Sequence, residues 1–344
     1  MRTLVFAVVV LIGCGSRRDD ASPRPPPPQP PVVAVVDAGV DPWAAAGPGS
    51  GSAAVAEVEI PSAEVAREIA DTACPTVTGA YFFRVEKAGK TSHILGTRHL
   101  GVDIAKFPAL VTDTLIAAKV AVFETAPDDN SDDGVVKPAH GRLPDELGPE
   151  LWERYEVLVG HELATALADQ EPATGMLMMI ALYEDKSSAL DDQLQQLAIA
   201  KQIPVRGLET SEFQERLIAR WLDVRALRAS VKVTDDRREL KQTTIDDLTE
   251  YCAGTDDDPG PDPKERQDMI DGGYTDEEIT RFEEELVFSR NRDWIPKLEK
   301  LFARGDAFIA VGADHLTGEL GVPALLAKRG YQVTRVTPPR NPPP

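Results

Sequence analysis

Basic charge is what this sequence has least of for its length: 37 Lys and Arg stand against 57 Asp and Glu, a formal net charge of −20 at pH 7. Affinity for nucleic acid comes from clustered cations that release counterions from phosphates, so the deficit excludes nucleic acid as a partner. Histidine and cysteine are scarce as well, with five and three copies. No cysteine lies in a C-x-x-C or His-rich context, which excludes the cysteines as metal ligands. The apolar run that opens the chain, "LVFAVVVLIG", is too short to span a bilayer. Aromatic residues make up 6% of the chain, yet 42% of it is hydrophobic, enough to bury a full core.

That first run follows Met1-Arg2 and ends at Cys14, the arrangement of an export signal. The segment "LIGC" resembles the lipobox of bacterial lipoproteins, with residues 1–14 as signal peptide and Cys14 as the lipidated residue. Acyl chains on Cys14 would hold the protein on a membrane surface, on the periplasmic face of a cell envelope. Gly15, where Asp would mark inner-membrane retention, favours the outer membrane. Residues 15–60, beginning "GSRRDD" and continuing through "SPRPPPPQPPVVAVV", have no period that could bury a face and read as a disordered Pro/Ala/Gly-rich tether. Residues 61–338 form the folded domain, and 339–344 read as a disordered tail. In an exported protein the remaining pair, Cys74 and Cys252, is either a disulfide or two buried thiols. The acidic loop "PDDNSDDG" fails as a calcium loop, because its twelfth position is His140 where a bidentate Glu is needed.

Within the domain the spacing predicts a helix over 63–72, capped by Ser62, with Val65, Ile69 and Ala73 inward. Strands are predicted at 81–85 and 92–96 around a Gly-containing turn. A helix with Leu110, Thr114, Leu115 and Ala118 at helical spacing follows, then a short buried strand ending at Glu124. The C-terminal part repeats the plan: strand "DAFIAVG", helix "ELGVPALLAKRG", strand "YQVTRV". Each unit reads as a β-α-β crossover joining parallel neighbours. The region between them, about 140–303, is mostly helical, and its Met176, Met178 and Met179 suit core filling or an adaptable groove.

Two of the five histidines share one frame. Gly96-Thr97-Arg98-His99 and Gly312-Ala313-Asp314-His315 each set a histidine three residues after a glycine at the end of a predicted strand. Residues past the C-terminal ends of parallel strands face a common crevice, so His99, His315 and Glu124 are aimed together. Two imidazoles and a carboxylate suit Mn²⁺, Co²⁺ or Zn²⁺ and would activate a metal-bound water. Two structural histidines hydrogen-bonded across the halves are the alternative.

These motifs, with Glu124, "GLET" at 207–210, "RNR" at 290–292 and "LLAKRGYQV", resemble the TraB/PrgY/GumN family, which includes the Tiki proteases. The likeness runs over roughly 76–338. It implies an α/β fold of the Tiki/ChaN/erythromycin-esterase kind, in which two β-G-x-x-H-α-β units form a sheet core surrounded by helices. It implies a metal-dependent peptidase, with His99, Glu124 and His315 as ligands of a divalent ion and Glu124, Asn291 and Arg292 as catalytic groups. Gly96, Gly312 and Glu209 are further candidates. The expected substrate is a peptide or small amide, and the alternative is a peptide- or haem-sequestering lipoprotein of the same fold. Arg98, Asp314 and Ser289 depart from the family pattern. Arg98 and Asp314 could pair with each other across the two units.

Overall fold

The computed structural model describes residues 60–127, 140–254 and 263–336. The signal peptide, Cys14, the tether, the acidic loop around Asp129 and the tail lie outside those residues. Among the described residues no helix is long and apolar enough to cross a membrane.

The folded part opens with helix α1 (Ala63–Ala73), whose first turn is capped by Ser62 Oγ accepting the Val65 N–H at 3.3 Å. Its inward face is Ala66, Ile69 and Ala70, while Val65 is exposed. Strands β1 (Phe82–Lys87) and β2 (Lys90–Thr97) form an antiparallel hairpin. Ala88 and Gly89 turn it, both at positive φ, the two-residue turn whose twist matches the flanking strands. Helix α2 (Ala109–Ala117) then leads to β3 (Val120–Phe123). Val111 and Leu115 face inward from α2, whereas Leu110 is exposed. In both short helices the spacing named the right period and one inward residue, Ile69 and Leu115, while packing chose Ala66 over Val65 and Val111 over Leu110.

The middle region is helical as expected, cut where glycine allows a turn. Gly148, at φ 76°, separates α3 (Leu143–Leu147) from α4 (Pro149–Val159). There follow α5 (His161–Leu167), α6 (Pro172–Ile180) and α7 (Leu190–Ala200). Strand β4 (Val205–Gly207) precedes α8 (Ser211–Trp221), α9 (Val224–Val233) and α10 (Arg237–Ala253). After α11 (Pro263–Asp271) and α12 (Asp276–Glu283), a π-helical stretch over Glu284–Phe288 runs into α13 (Ser289–Phe302). Strand β5 (Ala307–Gly312), α14 (Val322–Lys328) and β6 (Gln332–Arg335) close the chain.

The six strands of the described residues make one sheet in the order β4-β3-β5-β2-β1-β6. Strands β4, β3, β5 and β2 are mutually parallel, while β1 runs antiparallel to both β2 and β6. The sheet corrects the expected neighbours. Strand β5 inserts between β2 and β3, and β6 pairs with β1 at the far edge rather than with β5. Three connections that skip over strands, β2 to β3, β4 to β5 and β5 to β6, interleave the halves of the chain, which a reading of successive elements could not show. Every residue of β5 is buried, as befits a strand covered on both faces.

Two apolar clusters result. One lies around the sheet; the other, within the helical region, includes Leu143, Tyr155, Met176, Met179, Leu227 and Phe282. Met176 and Met179 are almost wholly buried there, so the methionines fill core. Cys74, just after α1, is joined in a disulfide to Cys252 on α10, with a Cα separation of 5.7 Å.

Candidate active site

Register places the two histidine motifs side by side. In the β2–β5 pair Thr97 lies opposite Gly312 and Gly96 opposite Val311, so both chains leave the sheet at the same edge. Strand β3 ends at Phe123 opposite Gly207 of β4, which brings Glu124 and then Glu209 to that edge too. Gly96 has a steric reason: a Cβ there would stand 2.8 Å from Tyr81 Cβ and 3.1 Å from Ala313 Cα, so only glycine lets the second motif pack this closely. Gly312 donates its N–H to Glu124 Oε1 at 2.8 Å. Tyr251 of α10 steadies the first motif through its hydroxyl, which donates to the Gly96 carbonyl at 2.8 Å.

His99 and His315 are both buried, 4% and 1% exposed. Each is held by its Nδ1. His315 Nδ1 lies 2.7 Å from Asn291 Oδ1; the Asn291 amide donates to the Leu320 carbonyl at 3.0 Å, which turns its oxygen to the ring. His315 therefore carries its proton on Nδ1, and Nε2 faces Arg290 Nη1 at 3.2 Å and Glu124 Oε1 at 3.7 Å. Burial, then the charge of Arg290, then that of His99 hold its pKa well below the ordinary imidazole value, so the ring is neutral. His99 Nδ1 makes a short hydrogen bond with Asp191 Oδ2, and the other oxygen of Asp191 accepts from Thr97 Oγ1 at 2.9 Å. His99 Nε2 is buried and, among the described residues, has no hydrogen-bond partner. Burial alone would lower the His99 pKa, but Asp191 and then Glu124 outweigh it and raise the value.

Glu124 is held on all sides. Oε2 accepts from Arg290 Nη2 at 2.5 Å and Gln214 Nε2 at 2.9 Å. Arg290 also grips Glu209, with Nε 3.0 Å from Oε1, and the Trp294 indole donates to Glu209 Oε2 at 3.1 Å. The Arg290 guanidinium is 2% exposed; burial opposes its charge, and Glu124 and Glu209 more than compensate.

The structure thus brings together His99, Glu124, His315, Asn291 and Glu209. It does not bring Arg292, which is exposed and pairs with Glu284 on its own surface. Arg290 stands where Arg292 was expected. The helical phase of α13 explains the difference: Trp294, Ile295 and Leu298 mark the buried face, and Arg290 and Asn291 lie four residues before the first two. Arg98 forms a two-pronged ion pair with buried Glu184, at 2.9 and 2.6 Å. Asp191 and Gln214 also escaped the sequence reading, although each shares a buried helix face, with Leu194 and Leu217 respectively.

A divalent ion can be tested against these groups. Both imidazoles are anchored at Nδ1 by an oxygen and present Nε2, the arrangement by which ligating histidines are oriented, and the His99 nitrogen is an orphan. Among the described residues Glu124 Oε1 accepts only the Gly312 N–H. In kind and in tautomer the donors fit. Arg290 holds the His315 nitrogen, and among the described residues no three His, Cys, Asp or Glu side chains close around one point as a metal group.

Neither the curated proteins nor the solved structures that were searched gave a match. The model of the TraB/PrgY/gumN family matches residues 81–335, from the residue before β1 to the last residue of β6. A match over more than half of the 344 residues, spanning both histidine motifs and every strand that positions them, settles the kinship: this chain belongs to the TraB/PrgY/gumN family.

Proposed function

We propose that the protein is an extracytoplasmic, membrane-tethered, metal-dependent hydrolase acting on an amide bond of a peptide. The observation that carries the reading is the pair of imidazoles, each locked at Nδ1 by an oxygen acceptor, with His99 Nε2 unpartnered among the described residues and His315 Nε2 turned to Glu124 and Arg290. His99 Nε2, His315 Nε2 and Glu124 Oε1 would hold the ion. When bound, a divalent metal supplies an acidified water and polarises a carbonyl.

The chain's own residues supply the rest. Asn291 keeps His315 in the tautomer that has a lone pair on Nε2. Gln214, Arg290 and the Gly312 N–H orient the Glu124 carboxylate and leave one oxygen for the site. Arg290, rather than Arg292, is the cation placed to steady negative charge on a reacting oxygen. The lipid anchor at Cys14 and the tether through residue 60 would hold this domain at a membrane surface, supported by the lipobox-like "LIGC" alone.

One observation favours a second reading. Arg290 already engages Glu124, Glu209 and His315, so this half of the site is satisfied without an ion, as suits a protein that sequesters a peptide or haem without cleaving anything. Metal titration separates the two. With Mn²⁺, Co²⁺ and Zn²⁺ in turn, the hydrolase reading expects one ion per chain, lost in His99→Ala and in His315→Ala while the fold survives, and metal-dependent cleavage of a peptide library. Peptide binding that is equal with and without metal, with no cleavage, would establish the sequestering reading instead.

A further inference from the structure

We infer that Asp191, backed by Thr97, is a positioning residue for the first motif histidine, and that it sets which nitrogen of His99 faces the site. The inference rests on the proposed function for what His99 does, and on geometry for how it is held. Asp191 lies on α7, far from the motif in sequence, and reaches it because the Leu190 N–H bonds to the His99 carbonyl at 3.2 Å. That backbone tie brings the start of α7 against the motif loop. Asp191 Oδ2 then takes His99 Nδ1 and Oδ1 takes the Thr97 hydroxyl at 2.9 Å, so both carboxylate oxygens are spent on residues of one G-x-x-H frame.

Thr97 is fully buried at a strand end, and it holds Asp191, which grips His99 from the start of a helix. A rotation of the imidazole that exchanged Nδ1 for Nε2 would break the short bond to Asp191 and leave a carboxylate oxygen buried without that partner. Whether the ring is neutral or protonated, Nδ1 stays engaged and Nε2 stays the free atom. The same task is done for His315 by the neutral Asn291. The two motifs therefore use different orienters, a carboxylate for His99 and an amide for His315. A carboxylate raises the electron density of its imidazole more than an amide does, which makes His99 the stronger donor of the pair.

The test uses the full folded chain, with ¹⁵N-labelled histidine, in wild type, Asp191→Ala, Thr97→Val, Thr97→Ser and His99→Ala. A far-downfield proton on Nδ1 is expected in wild type, absent in Asp191→Ala and in His99→Ala. Co²⁺ affinity, measured by titration, should fall roughly ten- to a hundredfold in Asp191→Ala. Thr97→Val should weaken both signals while Thr97→Ser restores them, and this pair decides the matter if Asp191→Ala does not fold. A downfield proton that is missing from wild type, or that survives in Asp191→Ala, would overturn the inference, as would wild-type behaviour of Thr97→Val. So would wild-type Co²⁺ affinity in Asp191→Ala when His99→Ala has lost it. If Co²⁺ affinity is unchanged even in His99→Ala, the hydrolase reading fails and the proton signal alone decides the role of Asp191.

Discussion

Arg290 and Arg292 are two residues apart on one helix and have opposite fates. The first is buried among Glu124, Glu209 and His315; the second lies on the surface beside Glu284. Replacing Arg290 with Met would leave two carboxylates buried without their cation, and a loss of about 3–5 kcal/mol is expected in chemical denaturation. Arg292→Ala should change stability by no more than about 0.5 kcal/mol. Equal effects would show that Arg290 is not the buried partner. The histidines make a pH expectation of opposite signs. Native His315 resists the proton that the unfolded chain accepts near the ordinary value of 6.5, so its contribution falls as pH drops below that point. Native His99 holds its proton above 6.5, so its contribution is complete below that value and is lost as pH rises through its own pKa. With metal removed by chelator, stability as governed by this pair should peak near pH 6.5. His315→Gln should remove the acid-side decline and His99→Gln the alkaline-side one; a profile that neither variant alters would refute both shifts.

At the scale of elements, the two motifs meet because β2 and β5 are neighbours in register, and because a glycine lets their loops touch. Gly96→Ala places a methyl 2.8 Å from the Tyr81 Cβ and 3.1 Å from the Ala313 backbone. The loops must part, at an expected cost of about 1–3 kcal/mol in thermal or chemical unfolding together with weaker metal binding. Unchanged metal affinity in a destabilised Gly96→Ala would mean that the loops do not share a ligand. The π-helical turn at Glu284–Phe288 precedes Arg290 directly, and its last-but-two residue Leu286 accepts a hydrogen bond from Arg290 Nη1 at 2.9 Å. Such turns shift the phase of a helix. Here the shift sits immediately before the residues that α13 contributes to the site.

Over the whole molecule, the Cys74–Cys252 disulfide closes a loop of 178 residues that contains the first motif, Glu124 and most of the helical region. Chain-entropy arguments give such a link about 5 kcal/mol, so reduction, or Cys74→Ser with Cys252→Ser, should lower the unfolding midpoint strongly. An unchanged midpoint under reductant would show that the link contributes nothing. Composition, motif order and apolar period pointed to the family, the α/β class, a helical middle and one sheet edge for His99, His315 and Glu124, because strand ends and glycine-histidine spacing are local signals. The strand order, the choice of Arg290 over Arg292, the pairing of Arg98 with Glu184, and the grip of Asp191 on His99 came from the folded chain. Each depends on which distant segment arrives beside a given residue, or on which of two adjacent side chains a helix turns inward. Crossovers that skip strands and helix faces chosen by packing leave no mark in the spacing of neighbours along the chain.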